Sequence, residues 1–70
     1  MAHTLAKAVI ASKVIELIAE KYKQPIDGAL DLFYMSKTIK LLSDDDTGLY
    51  GESPLYVFSL FEQEMNSKKD

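Results

Sequence analysis

Residues 36–61 read S-K-T-I-K-L-L-S-D-D-D-T-G-L-Y-G-E-S-P-L-Y-V-F-S-L-F. This stretch decides the fold. A short apolar helix runs into an acidic turn, then an aromatic knuckle, then a cleanly started second helix. Ser36 can cap the first helix, which is expected to run through Leu42. Ile39 and Leu42 would face inward with Leu41 beside them, and Lys37 and Lys40 would face water. Ser43 to Glu52 reads as one long acidic loop. Its Asp44-Asp45-Asp46-Thr47-Gly48 run is turn chemistry, because aspartates bond their own backbone and glycine takes positive φ. Leu49-Tyr50 lies between Gly48 and Gly51 and is expected to fold back onto the helices in a short extended run. Ser53-Pro54 is the clearest boundary in the chain, with serine as cap and proline at the first helical position. Leu55, Phe58, Phe61 and Met65 then recur at helical spacing, and Val57 and Leu60 widen that face. Glu62, Gln63 and Glu64 are expected outward or at the rim.

Working upstream, residues 4–23 read as a helix with Thr4 as its cap. Alanine, leucine, lysine and glutamate dominate, all good helix formers. Steps of 100° place Ile10, Val14, Leu17, Ile18 and Tyr22 on one face, with Ala11 and Ile15 on its flank. Lys13, Glu16, Glu20 and Lys23 lie opposite. Leu5 and Val9 fall on that charged side, either as two isolated exposed apolar residues, which is ordinary, or as a second contact, with another chain. Gln24-Pro25 ends this helix, because the residue before proline is pushed out of the helical region. Pro25 can open the next helix, and Asp27 in its first turn complements the dipole. Ile26, Ala29, Leu30 and Phe33 form its apolar stripe, and Gly28 suggests close approach to the first helix. That second helix is expected to end near Tyr34 or Met35, unless residues 25–42 are continuous.

The bulk numbers narrow the function. Seventy residues make one small domain, and a chain this short buries only about 60% of its unfolded surface. There is no cysteine to form a disulfide, bind metal or attack a substrate. Stability must come from helix packing, a second copy or a partner. The net charge is −3, and every basic residue is lysine. Without the planar arginine fork, sequence-specific nucleic-acid reading is disfavoured. Apolar residues from Leu5 to Ile18 are interrupted by Lys7 and Lys13, too short and too charged a run to span a bilayer. No targeting segment is visible, and the expected location is the cytoplasm.

No chemical constellation emerges. The single histidine, His3, lies in a segment expected to be mobile, and a general base must be held in place. No serine sits in a nucleophile elbow, and no glycine-rich loop precedes a helix. Counted as a calcium loop from Asp44, the fifth position is Gly48, the sixth Leu49 and the twelfth Leu55, so the pattern fails. Asp27 and Asp31 share a helical face but read as solubility. Four tyrosines, Tyr22, Tyr34, Tyr50 and Tyr56, suit both core edges and interfaces. A helix-turn-helix over residues 25–42 would present Lys37, Thr38 and Lys40 outward, a weak phosphate footprint.

Residues 36–65, S-K-T-I-K-L-L-S-D-D-D-T-G-L-Y-G-E-S-P-L-Y-V-F-S-L-F-E-Q-E-M, resemble a family of small bacterial proteins of unknown function. Its members show a short helix ending in leucine, a D-x-x-T-G-L-Y turn, S-P-x-Y-V and a closing helix. Residues 17–34, L-I-A-E-K-Y-K-Q-P-I-D-G-A-L-D-L-F-Y, are similar to that group as well. Some similar proteins are encoded beside toxin-like genes, which implies an antitoxin or accessory role. The resemblance carries over no catalytic residues. The matching positions Ser36, Leu42, Asp44, Thr47, Gly48, Leu49, Tyr50, Ser53, Pro54 and Tyr56 are explained as caps and turn chemistry.

The expected architecture is all-α: a small bundle of three to four helices with one long acidic loop, in a single domain over residues 1–70. Residues 1–3 and 66–70 are expected to fray. The expected function is non-enzymatic protein–protein interaction, by apolar docking to a partner or a second copy. Leu5 and Val9, or a cluster of Leu49, Tyr50 and Tyr56, are the candidate interface. No catalytic residue, metal, cofactor or small-molecule substrate is expected. The alternative is a small DNA-binding regulator built on residues 25–42.

Overall fold

The apolar periodicity is realised as four α-helices. In a computed structural model, which describes residues 3–67, they are α1 (Thr4–Lys21), α2 (Ile26–Tyr34), α3 (Lys37–Ser43) and α4 (Pro54–Ser67). Two single 3-10 turns, Asp45–Thr47 and Leu49–Gly51, join α3 to α4. No strand occurs among the described residues, so the protein is a small all-α bundle. α1 is the central rod: α2 and α4 pack along it, and α3 packs mainly on α4.

The core is a single cluster. Val14 and Ile18 of α1, Ala29 and Phe33 of α2, Leu42 of α3 and Val57 and Phe61 of α4 are all buried. Leu49 closes it from the loop. Phe61 lies between two other rings, with centroids 6.1 Å from Phe33 and 6.2 Å from Tyr22, both edge-on. That geometry sets a ring's positive edge against a negative face and adds about 0.5–1.5 kcal/mol per pair beyond area burial.

Helix boundaries follow local chemistry, with corrections. α1 starts after His3, which occupies the cap position at φ 66 without a side-chain cap bond; Thr4 is already helical. At the other end α1 stops at Lys21, short of residue 23. Lys23 takes φ 54, and the Gln24 N–H bonds the Ala19 carbonyl at 3.0 Å. This is a Schellman closure with lysine where glycine is preferred. Pro25 is the N-cap of α2 and not its first helical residue. α2 and α3 are separate helices: Ser36 breaks the path at φ −86, ψ 163, and its Oγ accepts the Ile39 N–H at 3.3 Å.

The remaining donors at the start of α3 are satisfied from far away. Glu64 of α4 accepts the Lys37 N–H at 2.8 Å, the Thr38 N–H at 3.0 Å and the Thr38 hydroxyl at 2.9 Å. Helix starts leave unpaired N–H groups that need such acceptors. Glu64 is therefore a tertiary cap and not a solvent-facing rim residue, and Thr38 is buried and not outward. Every buried side-chain polar atom among the described residues has a partner.

Several faces differ from the periodic expectation. Ile26 and Leu30 are exposed, while Ala29 and Phe33 carry the inner edge of α2. Leu41 is exposed beside buried Leu42, and Leu55 is exposed as well. The atoms nearest a Cβ added at Gly28 are the Gln24 side-chain oxygen at 3.1 Å and the Pro25 ring, not side chains of α1. Leu49–Gly51 forms a 3-10 turn and not an extended run. Asn66 and Ser67 are helical, whereas residues 1–2 and 68–70 of the expected frayed ends lie outside the described residues.

Candidate functional site

The five candidate interface residues do not form one patch. Leu5, 78% exposed, and Val9, 49% exposed, stand one turn apart on the outer side of α1. Leu49 is a core residue, so it is withdrawn from the interface; the 3-10 turn points it inward to cover α1 and α3. Tyr50 is half-buried, and its ring stacks on His3 with centroids 3.7 Å apart and planes 11° from parallel. Tyr56 is exposed on the first turn of α4.

Val9 does find company. Together with Leu17, Pro54 and Leu55 it lines a groove of about 440 Å³ between α1 and the start of α4. Two local facts build this groove. The Ser53 cap accepts the Tyr56 N–H at 3.2 Å and starts α4 abruptly beside α1. Leu55 then projects away from the core, 67% exposed. Leu55 was assigned to the buried stripe by its spacing to Phe58. The signal against that assignment is its offset from Val57: two positions on a helix are about 160° apart, and Val57 is fully buried.

The groove carries charge of both signs. The exposed residues Lys13, Glu16 and Glu20 also line it, and among the described residues none of the three is in an ion pair. Elsewhere the bundle does pair its charges. Lys21 meets Glu62 at 2.8 Å, and that hydrogen bond raises the lysine above its ordinary value. Lys7 pairs with Asp45 and donates to the Ser43 carbonyl at 2.7 Å, tying the acidic loop to α1. The Lys7 hydrogen bond holds the Asp45 carboxyl below the usual range.

A second apolar face lies on α2. Ile26, Leu30 and Tyr34 recur every fourth residue on its outer edge, all exposed, and Met35 follows them. Asp27 and Asp31, both exposed, are on the same helix.

No cluster of three or more His, Asp or Glu able to hold a metal exists among the described residues, and no described helix is long and apolar enough to cross a membrane. His3 faces an aromatic ring, with Asp45 and Lys7 near the same loop. No family model, curated protein or solved structure matches this chain.

Proposed function

We propose that this protein is a non-enzymatic docking module that works by burying the α1–α4 groove against another polypeptide. The observation that carries this reading is the groove itself. Val9, Leu17, Pro54 and Leu55 form an apolar concavity outside the buried core cluster, with Leu17 packed against that cluster from the groove side. Contiguous exposed apolar surface on a small soluble fold marks contact sites. Isolated exposed side chains would not, but here residues from two helices converge. A groove between helices is the usual seat for an apolar helix face.

The chemistry of the α2–α3 pair supports docking over nucleic-acid reading. Lys37 and Lys40 are exposed, but Thr38 between them is buried and bonded to Glu64. Two lysines beside an acidic loop make a weak phosphate-binding face. An antitoxin-like or accessory role in a bacterium is the setting that the sequence resemblance suggests for such a module.

The test compares the wild-type chain with a Val9→Asp, Leu55→Asp variant. Both positions are exposed, so circular dichroism and melting should stay close to wild type. Wild type should associate, with itself or with a co-purifying protein, and the variant should not. Equal association by the two chains would refute the groove as the docking site.

A further inference from the structure

The outer edge of α2 carries charges of one sign, and that sign selects a partner. We propose that this edge is a second docking surface, separate from the α1–α4 groove. Its occupant is a basic amphipathic helix of another polypeptide, with an apolar ridge and lysine or arginine along one flank.

The sequence of α2, I-D-G-A-L-D-L-F-Y, sets its residues in a fixed order round the helix. In steps of about 100° per residue, buried Ala29 and Phe33 come first, then Ile26, Leu30 and Tyr34, then Asp27 and Asp31. The three apolar residues of this edge are 53%, 42% and 53% exposed. The apolar strip is therefore bounded by the core on one side and by two carboxylates on the other. Both aspartates are exposed, and neither is in an ion pair among the described residues. Helix α2 has no basic residue of its own, and Lys23 and Lys37 lie beyond its two ends.

The strip repeats every fourth residue, and so do the carboxylates. Four residues rise about 6 Å along a helix. A second helix laid nearly parallel to α2 presents matching rows at its own i and i+4 positions. One row covers Ile26, Leu30 and Tyr34. The neighbouring row, if cationic, faces Asp27 and Asp31.

Charge separates this occupant from the others. A second copy of the same edge would set carboxylates against carboxylates. Nucleic acid or an anionic lipid surface would bring phosphates to them, and like charges across an interface cost affinity. The chain's net charge of −3 adds long-range attraction for a cationic partner. The α1–α4 groove differs, because Lys13, Glu16 and Glu20 line it with both signs and favour neither partner charge. A nine-residue helix offers less than the ~800 Å² per partner of a standard interface, so the contact is weak and reversible.

Nuclear magnetic resonance titration of the full isotope-labelled chain tests the proposal. The probe is a synthetic helical peptide of about four turns, leucine on one face and lysine on the other. The control peptide has glutamate in place of lysine. The lysine peptide should shift amide signals centred on α2, and salt should weaken its binding. Leu30→Lys should abolish those shifts. Asp27→Asn with Asp31→Asn should weaken binding about threefold to tenfold at low salt and little at high salt. All three positions are exposed, and circular dichroism checks that the variants stay folded. Val9→Asp with Leu55→Asp should bind the peptide as wild type does. Absence of binding would overturn the proposal, as would equal binding of the glutamate peptide or indifference to the two Asn substitutions. Shifts along α1 and α4 that Val9→Asp, Leu55→Asp blocks would refute the α2 surface and leave the groove standing. Self-association that Leu30→Lys dissolves would make a second copy the occupant and refute the basic helix.

Discussion

The two edges of α2 are made of similar residues and have opposite fates. Ala29 and Phe33 on the inner edge are fully buried, while Leu30 on the outer edge is 42% exposed and Ile26 more so. The nine-residue helix carries apolar residues over an arc wider than α1 can cover. Hydrophobicity therefore tells which residues avoid water if offered cover, but packing decides which receive it. α1 repeats the lesson, with Val14 and Ile18 inside and Leu5 and Val9 outside.

The largest expected effect sharpens that contrast directly. Phe33→Ala should cost about 3–5 kcal/mol, comparable to the whole stability of a chain this size. Leu30→Ala, one turn away on the other edge, should change stability by less than about 1 kcal/mol. Urea unfolding followed by circular dichroism measures both. Similar losses at the two positions would break the division into inner and outer edges.

Next comes Glu64. Glu64→Ala removes three accepted hydrogen bonds from the start of α3. It should cost about 2 kcal/mol and speed amide exchange in α3 ahead of α1. A loss of that size spread evenly over the bundle would argue against a cap.

Much of the fold was legible because its boundaries are chemical. Ser36, Ser53-Pro54 and Gln24-Pro25 announce helix ends through their own side chains, and the structure breaks the chain at each. Faces were less legible. Leu55, Ile26 and Leu30 sit at helical spacing from core residues, yet spacing gives direction about an axis and not the position of the neighbouring rod. Glu64 was read as a rim residue because its partners, Lys37 and Thr38, are 27 and 26 positions away. No local pattern reports a contact of that range. Of the candidate interface, Leu5 and Val9 were legible as apolar residues on a charged face. Leu49 does fold back onto the helices as its apolar character suggested, and that burial removes it from the candidate interface.

Smaller effects probe the connections between helices. Lys23→Gly should stabilise by about 1 kcal/mol, because glycine takes the left-handed conformation without the Cβ penalty. Gly28→Ala should stabilise by about 0.5–1 kcal/mol, since the atom it approaches is the movable end of Gln24. Thermal melting of each variant reads the sign. A loss at Lys23→Gly would mean that the lysine side chain outweighs its backbone conformation.

The smallest effect is electrostatic. Lys7 holds the Asp45 carboxyl below its ordinary value. A group whose folded pKa lies below its unfolded one adds stability above the unfolded pKa, and loses it as pH falls through the folded value. Asp45→Asn should therefore flatten part of the acid limb of a stability–pH curve, below the ordinary carboxylate range, and the difference should shrink in high salt. Superimposable acid limbs would show that the pair contributes nothing measurable, as exposed pairs often do.

The reach of Glu64 has a consequence for the order of events during synthesis. α3 lies in the middle of the chain, but two of its first backbone donors are met only in the last turns of α4. A nascent polypeptide that has emerged as far as Met35 can pair α1 with α2, and Ser36 can cap α3 locally, yet the Lys37 and Thr38 N–H groups lack their acceptor until residue 64 is available. The closing step waits for Glu64, and a stop codon placed just before it would leave those donors of α3 without their acceptor.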